Sequence, residues 1–270
     1  MDLSKINHSG LVMLGCGKMG SAMLEGWLTR GLAPAAVTIL EPHPKDWLLA
    51  QGVTVNGALP EAPAAIILAV KPQMMGEALG ALARYAGTSS VIVSIAAGTP
   101  ISAFEAVFGA TSPIIRAMPN TPAAIGRGIT AMVGNGAAGA ADLDLAQALL
   151  AAVGDVVRLT DEGEIDAVTG LSGSGPAYVF HLIECMAAAG EAEGLAPDLA
   201  MALARATVAG AGALAMESGE DPAQLRVNVT SPGGTTAAGL SVLMDESAGL
   251  KPLIRSTVAA ATARSRELKG

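Results

Sequence analysis

An apolar run, Leu11–Leu14, meets Gly15-Cys16-Gly17-Lys18-Met19-Gly20 and passes at once into a helical stretch at residues 21–30. That junction constrains the chain more than any other feature. The first glycine allows a tight turn, the second lets the backbone approach a pyrophosphate, and the third lets helix and strand pack closely, with the anion resting on the helix N-terminus. A G-x-G-x-x-G string alone also occurs in ordinary turns. Here a strand precedes it, a helix follows, and an acidic residue, Glu41, ends the next apolar run about twenty residues on, where a ribose hydroxyl is expected. Gly15, Gly17, Lys18, Met19, Gly20 and Glu41 are therefore candidate dinucleotide contacts.

Short apolar runs recur with helical stretches between them, at residues 11–14, 37–40, 65–70 and 91–96, then more weakly at 113–117 and 153–159. Strands alternating with helices imply right-handed crossovers and a mostly parallel sheet covered on both faces. This predicts an α/β fold: a Rossmann-like, doubly wound domain at the N-terminus. Beyond Asp161-Glu162-Gly163-Glu164 no strand-like run remains, and alanine-rich helical periodicity fills 177–193, 199–216, 236–246 and 250–268. The expected division is a dinucleotide-binding domain over residues 1–165 and an all-α domain over 166–270.

With 51% hydrophobic and 15% charged residues among 270, the chain can bury a large core. A net charge of -8 leaves no basic stripe for nucleic acid or an anionic membrane. The two cysteines, Cys16 and Cys185, offer neither a disulfide framework nor a zinc spacing, and read as small buried apolar groups; no metal site is expected. The first ten residues carry acid, lysine and histidine in place of a leader's basic start and apolar core, so a cytoplasmic location is expected. Residues 199–216 are apolar nearly all round and long enough to suggest a membrane span, but Arg205, Gly210 and Gly212 argue against one. A helix apolar on every face needs cover on every face, which predicts a homo-oligomer built on this segment.

In open parallel sheets the ligand lies beyond the carboxyl ends of the strands. Lys71 and Pro72, residues 96–98 and residues 118–120 follow strands. Lys71 reads equally as a cofactor contact or proton donor and as a solvated loop lysine; Asn120, between Pro119 and Pro122, reads rather more as a turn former. In the second half, Leu171-Ser172-Gly173-Ser174-Gly175-Pro176 and Thr230-Ser231-Pro232-Gly233-Gly234-Thr235-Thr236 are glycine-rich and run into helices. Either is explained by capping alone, yet the pair beside a dinucleotide fold suggests a receptor for a small anion such as a carboxylate. No histidine sits in a triad-like setting; His181 reads as an interface or core residue, and Lys251 and Lys269 are the only lysines after residue 165. Reduction of a ketone needs a proton donor for the alkoxide. A protonated C=N already carries its proton, so hydroxyl hydrogen bonds suffice, which favours an imine substrate bearing a carboxylate.

Val70-Lys71-Pro72-Gln73, Arg116-Ala117-Met118-Pro119-Asn120-Thr121-Pro122, residues 170–178 and residues 229–236 resemble the signature segments of the pyrroline-5-carboxylate reductase family, and the similarity extends to Arg264-Ser265-Arg266-Glu267-Leu268. The resemblance implies hydride transfer from NADPH or NADH to the imine carbon of 1-pyrroline-5-carboxylate, giving L-proline. It places the substrate carboxylate on Ser231 and the backbone of Gly233, Gly234 and Thr235, and the ring nitrogen on the catalytic Thr236 hydroxyl. Gly17, Lys18 and Met19 would cover the pyrophosphate, and Ala69, Lys71 and Pro72 would line the cofactor groove, which assigns Lys71 to the cofactor wall. Ala96, Met118 and Asn120 would lie near the nicotinamide, with Asn56 and Asn228 also near the cofactor. The family's helical domains form intertwined dimers, and in some members decamers. One departure is Glu41-Pro42-His43-Pro44, where the family commonly has polar or basic residues for a 2'-phosphate; a carboxylate there leans toward NADH.

Two rivals remain. A β-hydroxyacid dehydrogenase or broader imine reductase shares the build, but the former carries a lysine in the helix after Pro176, absent here. A dinucleotide-binding sensor without catalysis would be expected to have eroded Ser231 to Thr236, which is intact.

Overall fold

The computed structural model describes residues 4–268, with Pro72 and Glu77 described by backbone only. The chain forms two compact units: one contains residues up to Gly173 together with those from Thr262 onward, the other Ser174–Ala261.

In the first unit the strands are β1 (Leu11–Leu14), β2 (Val37–Leu40), β3 (Thr54–Val55), β4 (Ala65–Leu68), β5 (Val91–Ser94), β6 (Ile114–Met118), β7 (Gly128–Gly134) and β8 (Gly154–Arg158). They make one sheet in the order β3-β2-β1-β4-β5-β6-β7-β8. The reversal of order at β1 and β4 is the switch point of a doubly wound sheet. In register, Leu11 pairs with Val37 on one side and with Ala65 on the other. Among the described residues every strand pairing is parallel except that of β6 with β7.

Two hydrophobic clusters cover the two faces. Alternate residues of β1 divide between them, Leu11 and Met13 into one and Val12 and Leu14 into the other, as a period of two requires. The helices of this unit are α1 (Ser4–Ser9), α2 (Lys18–Thr29), α3 (Asp46–Leu49), α4 (Met75–Leu79), α5 (Ile101–Phe108), α6 (Ala140–Leu150) and α7 (Glu164–Val168). Helix α2 buries Met23, Leu24 and Trp27 in the first cluster, and the Trp27 indole donates to the Leu149 carbonyl at 2.8 Å. Helix α5 buries Ile101, Phe104 and Phe108 in the second.

The structure adds two strands to the sequence reading. Strand β3 has only two residues, too few to show a period. Strand β7 is bounded by Gly126-Arg127-Gly128 and Gly134-Asn135-Gly136, glycine clusters of a kind that ordinarily marks loops, yet its Ala131, Met132 and Val133 are buried. The runs at 65–70 and 91–96, which form the two central strands, stop being strand at Leu68 and Ser94, where the chain leaves the carboxyl end of the sheet.

The second unit is helical: α8 (Gly175–Ala192), α9 (Pro197–Glu217), α10 (Pro222–Asn228), α11 (Thr235–Leu243) and most of α12 (Leu250–Glu267), whose last turns count with the first unit. Helices α8 and α9 pack together, with Gly190 close against Ala200, and Pro197 starts α9 at a position where its missing N–H costs nothing. The short helix α10 was not read from the sequence. Among the described residues α9 is the one helix long and apolar enough to cross a membrane by length and composition, yet only 11% of that window is buried.

Candidate active site

The nucleotide half lies in the first unit, at the carboxyl ends of β1 and β2. Gly15 turns with φ +86°, and a Cβ there would stand 2.7 Å from Val70 Cγ1 and 3.0 Å from the Ala69 carbonyl oxygen. A Cβ on Gly20 would stand 3.0 Å from the Gly15 carbonyl oxygen. Those two glycines are required by the protein's own packing. Gly17 is different: no heavy atom lies within 4 Å of where its Cβ would be. It caps α2 without a side-chain bond, ahead of the first-turn N–H groups of Lys18, Met19 and Gly20, which a helix cannot satisfy internally. The space a side chain would fill is thus kept open at a helix N-terminus, which fits a pyrophosphate.

Glu41 follows β2 and is held at both carboxylate oxygens and at its backbone. Its Oε2 accepts the Cys16 N–H at 2.8 Å and its Oε1 accepts the His43 N–H at 3.1 Å. Asn56 fixes its backbone, accepting the Glu41 N–H at 2.9 Å and donating to the Glu41 carbonyl at 2.8 Å. Beside them a cavity of about 400 Å³ is lined by Leu14, Leu40, Met74, Ala78 and Ala81 as well as by Glu41 and Asn56. Apolar walls with polar groups at one end suit an adenosine.

Along the same sheet edge, the Ala69 N–H donates to the Leu14 carbonyl at 2.8 Å, Lys71 is exposed, and Pro72 begins the 3-10 turn Pro72–Met74. The side chain of Pro72 lies outside the described residues. Ala96 is buried after β5, and Met118 ends β6. Asn120 does more than form a turn: its Oδ1 accepts the Ile129 N–H at 2.9 Å and its Nδ2 donates to the Ser172 carbonyl at 3.3 Å. The methyl of Met118 presses on Gly173, where a Cβ would stand 2.7 Å away. Burial raises the Cys16 thiol above its ordinary pKa, which keeps it a small neutral group.

The glycine-rich segment 171–176 differs from its reading as a loop. Residues Thr169–Gly173 form a π-helical turn that continues directly from α7. The second segment keeps its expected form. Gly233 turns with φ +70°, Gly234 caps α11, and a Cβ on Gly234 would stand 2.5 Å from Ser231 Oγ. The absence of that Cβ lets the Ser231 hydroxyl fold against the helix start, with Thr235 and Thr236 exposed in the first turn. N–H groups and hydroxyls at a helix N-terminus make a receptor for a carboxylate. Asn228 ends α10 in the same unit, accepting from Gln224 at 2.7 Å and donating to Glu220 at 2.9 Å.

Two other readings are corrected. Cys185 is exposed, and so is His181, which touches Glu184 at 3.1 Å and Cys185 at 3.6 Å. The core reading of His181 therefore falls. No group of three or more metal-binding side chains occurs among the described residues. Sequence reasoning missed the pair of Arg116 and Glu162, joined at 2.6 Å; the lone charge inside the apolar strand Ile114–Met118 was the signal available.

Residues 162–268 match the family model for pyrroline-5-carboxylate reductase dimerisation, and residues 11–98 match that for NADP oxidoreductase, coenzyme F420-dependent. The chain is 38% identical over 264 residues to the pyrroline-5-carboxylate reductase of Pseudomonas aeruginosa, covering 96% of each. It is 41% identical over 265 residues to that of Synechocystis, covering 96% of this chain and 97% of the relative. Among solved structures it resembles a pyrroline-5-carboxylate reductase from Coxiella burnetii with TM-score 0.90 and 31% identity, covering 97% and 99% of the two chains. A Plasmodium falciparum pyrroline carboxylate reductase with NADP bound gives TM-score 0.82 at 28% identity, covering 98% and 99%.

Proposed function

The chain belongs to the pyrroline-5-carboxylate reductase family and is an NAD(P)H-dependent oxidoreductase of proline biosynthesis, and we propose that its residues divide the work as follows. Residues 1–165 hold the dinucleotide, and residues 166–270 hold substrate and join protomers. Gly17, Lys18 and Met19 receive the pyrophosphate, with Gly15 and Gly20 closing the turn beneath it. Glu41, set by Asn56, accepts from the ribose, which favours NADH because a 2'-phosphate would meet a fixed carboxylate. Ala69, Lys71 and Pro72 wall the groove; Ala96, Met118 and Asn120 face the nicotinamide, and Asn228 lies near the cofactor.

When bound, the reduced nicotinamide supplies a hydride. Ser231 and the N–H groups of Gly233 and Thr235 hold the carboxylate of 1-pyrroline-5-carboxylate, while Gly234, whose N–H donates to the Ser231 carbonyl at 3.1 Å, closes the turn around it. The Thr236 hydroxyl holds the ring nitrogen. As the imine carbon gains the hydride, the C=N pair of electrons moves onto a nitrogen that already bears its proton, leaving a neutral amine. No side-chain acid is needed, which accords with a loop of hydroxyls and glycines. The observation that carries this reading is the open space at Gly17 between two glycines whose space is filled.

The exposed apolar faces of α8 and α9 support a homodimer, with a decamer as a higher assembly. Two cysteines without a disulfide support a cytoplasmic location.

The test is turnover of pyrroline-5-carboxylate with NADH or NADPH, following nicotinamide oxidation and proline formation. We expect proline, NADH preferred, and a Thr236→Ala variant with lower turnover at nearly unchanged nucleotide affinity. Nucleotide binding without turnover would point to a different imine. An equal loss of nucleotide affinity in Thr236→Ala would refute its placement on substrate.

A further inference from the structure

The loop from β5 to α5, residues 95–100, carries Ala96 and is fastened at both ends. At its start the Ile95 N–H donates to the Leu68 carbonyl at 3.0 Å and the Ala96 N–H to the Ser94 hydroxyl at 3.2 Å. At its end the Ile101 N–H, first in α5, donates to Glu162 Oε1 at 2.9 Å. The same oxygen accepts the Arg116 guanidinium at 2.6 Å. Arg116 lies beside Ser94 in the register of β5 and β6, and its side chain is 2% exposed. A guanidinium stays charged in proteins, so at that depth it demands an anion. A carboxylate at the first turn of α5 also meets the positive end of the helix dipole.

Glu162 is itself held in place. Glu164 Oε2 accepts the N–H groups of Thr160 and Asp161, each at 3.2 Å, and Asp161 Oδ1 accepts that of Gly163 at 2.6 Å. One carboxylate oxygen on a stiff turn therefore joins β6 to the start of α5.

We propose that Glu162 is a positioning residue for hydride transfer: through Arg116 and the Ile101 N–H it sets where the loop of residues 95–100, and with it Ala96, stands against the nicotinamide. This rests on the reading that Ala96 faces that ring. Reacting atoms displaced from a near-attack geometry lose rate without loss of binding elsewhere.

Three variants of the full chain test it. Glu162→Gln keeps the shape and an acceptor oxygen while removing the charge, and Glu162→Asp restores the charge one methylene short. The double variant Glu162→Gln with Arg116→Met removes both charges, so that no unpaired buried cation remains to unfold the protein. We expect kcat to fall about ten-fold or more in Glu162→Gln and in the double variant, with partial recovery in Glu162→Asp. The primary isotope effect with deuterated NADH should rise, and affinity for ADP-ribose, which lacks the nicotinamide, should stay unchanged. A rate that falls only with the folded fraction, at an unchanged isotope effect, overturns the proposal, as does an equal loss of ADP-ribose and NADH affinity.

The underlying placement is read separately in the unmodified protein with isotopically labelled alanine methyls. The Ala96 resonance should shift with NADH and not with ADP-ribose. A resonance indifferent to NADH overturns the placement of Ala96. A shifting resonance beside a kinetically silent Glu162→Gln overturns the positioning role alone.

Discussion

At the scale of single residues, Glu41 shows how a charge is given a fixed address. Its carboxylate takes two backbone N–H groups, at 2.8 and 3.1 Å, while Asn56 brackets its own N–H and carbonyl. Asn56 does this at φ +52°, a left-handed conformation that asparagine tolerates better than most residues. On the proposed reading, an anion so held meets any 2'-phosphate on the adjoining ribose. Glu41→Ser should therefore raise the NADPH to NADH ratio of kcat/KM by about ten-fold, corresponding to ~1.4 kcal/mol. Steady-state kinetics with both cofactors measure it, and an unmoved ratio would mean the carboxylate serves only the glycine turn. Glu41 was legible in the sequence because the fingerprint fixes its distance along the chain. The service of Asn56 to its backbone was not, since a hydrogen bond across 15 residues leaves no periodic mark.

At the scale of elements, the least legible part was the far edge of the sheet. Strand β7 lies between glycines, and glycine ordinarily weakens a strand. The reason for them appears only when β7 pairs with β8, where Gly128 stands opposite Gly154. Gly154 has φ +141°, and a Cβ there would stand 2.0 Å from the Gly128 carbonyl oxygen. Neither strand can approach the other with a side chain at that point. Gly154→Ala should cost about 3 kcal/mol or more of stability, since overlap with backbone adds to the strain of the dihedral. Denaturant unfolding measures it; a loss below about 1 kcal/mol would show that the edge yields by shifting β8. The helices were easier to foresee, since α8, α9, α11 and α12 lie within a few residues of the stretches that alanine-rich periodicity marked.

At the scale of the whole molecule, the second unit leaves much of its apolar surface uncovered in a single chain. In α9 only Ala200 and Ala204 are buried, while Leu199, Leu203 and Leu214 are each about half exposed. Burying such a face contributes ~25 cal/mol per Å² removed from water, which is ample drive for association. Leu203→Glu places a charge on that face without disturbing the chain's own core. Sedimentation should show a lighter particle than the parent protein, with a melting temperature that falls on dilution. An unchanged mass would remove this face of α9 from the interface. What the sequence determined by itself is local: the turn from β1 into α2, the hydroxyl-rich start of α11, and the alternation of strands and helices. These depend on contiguous residues, whose backbone angles and unsatisfied N–H groups are nearly independent of the rest of the fold. Only the tertiary structure decided that Arg116 meets Glu162 across 46 residues, that Ser265 bonds Asp166 across 99, and that β7 turns back along β6. Such partners are chosen by which compact packing satisfies every buried charge and polar group together, and no window of sequence contains that comparison.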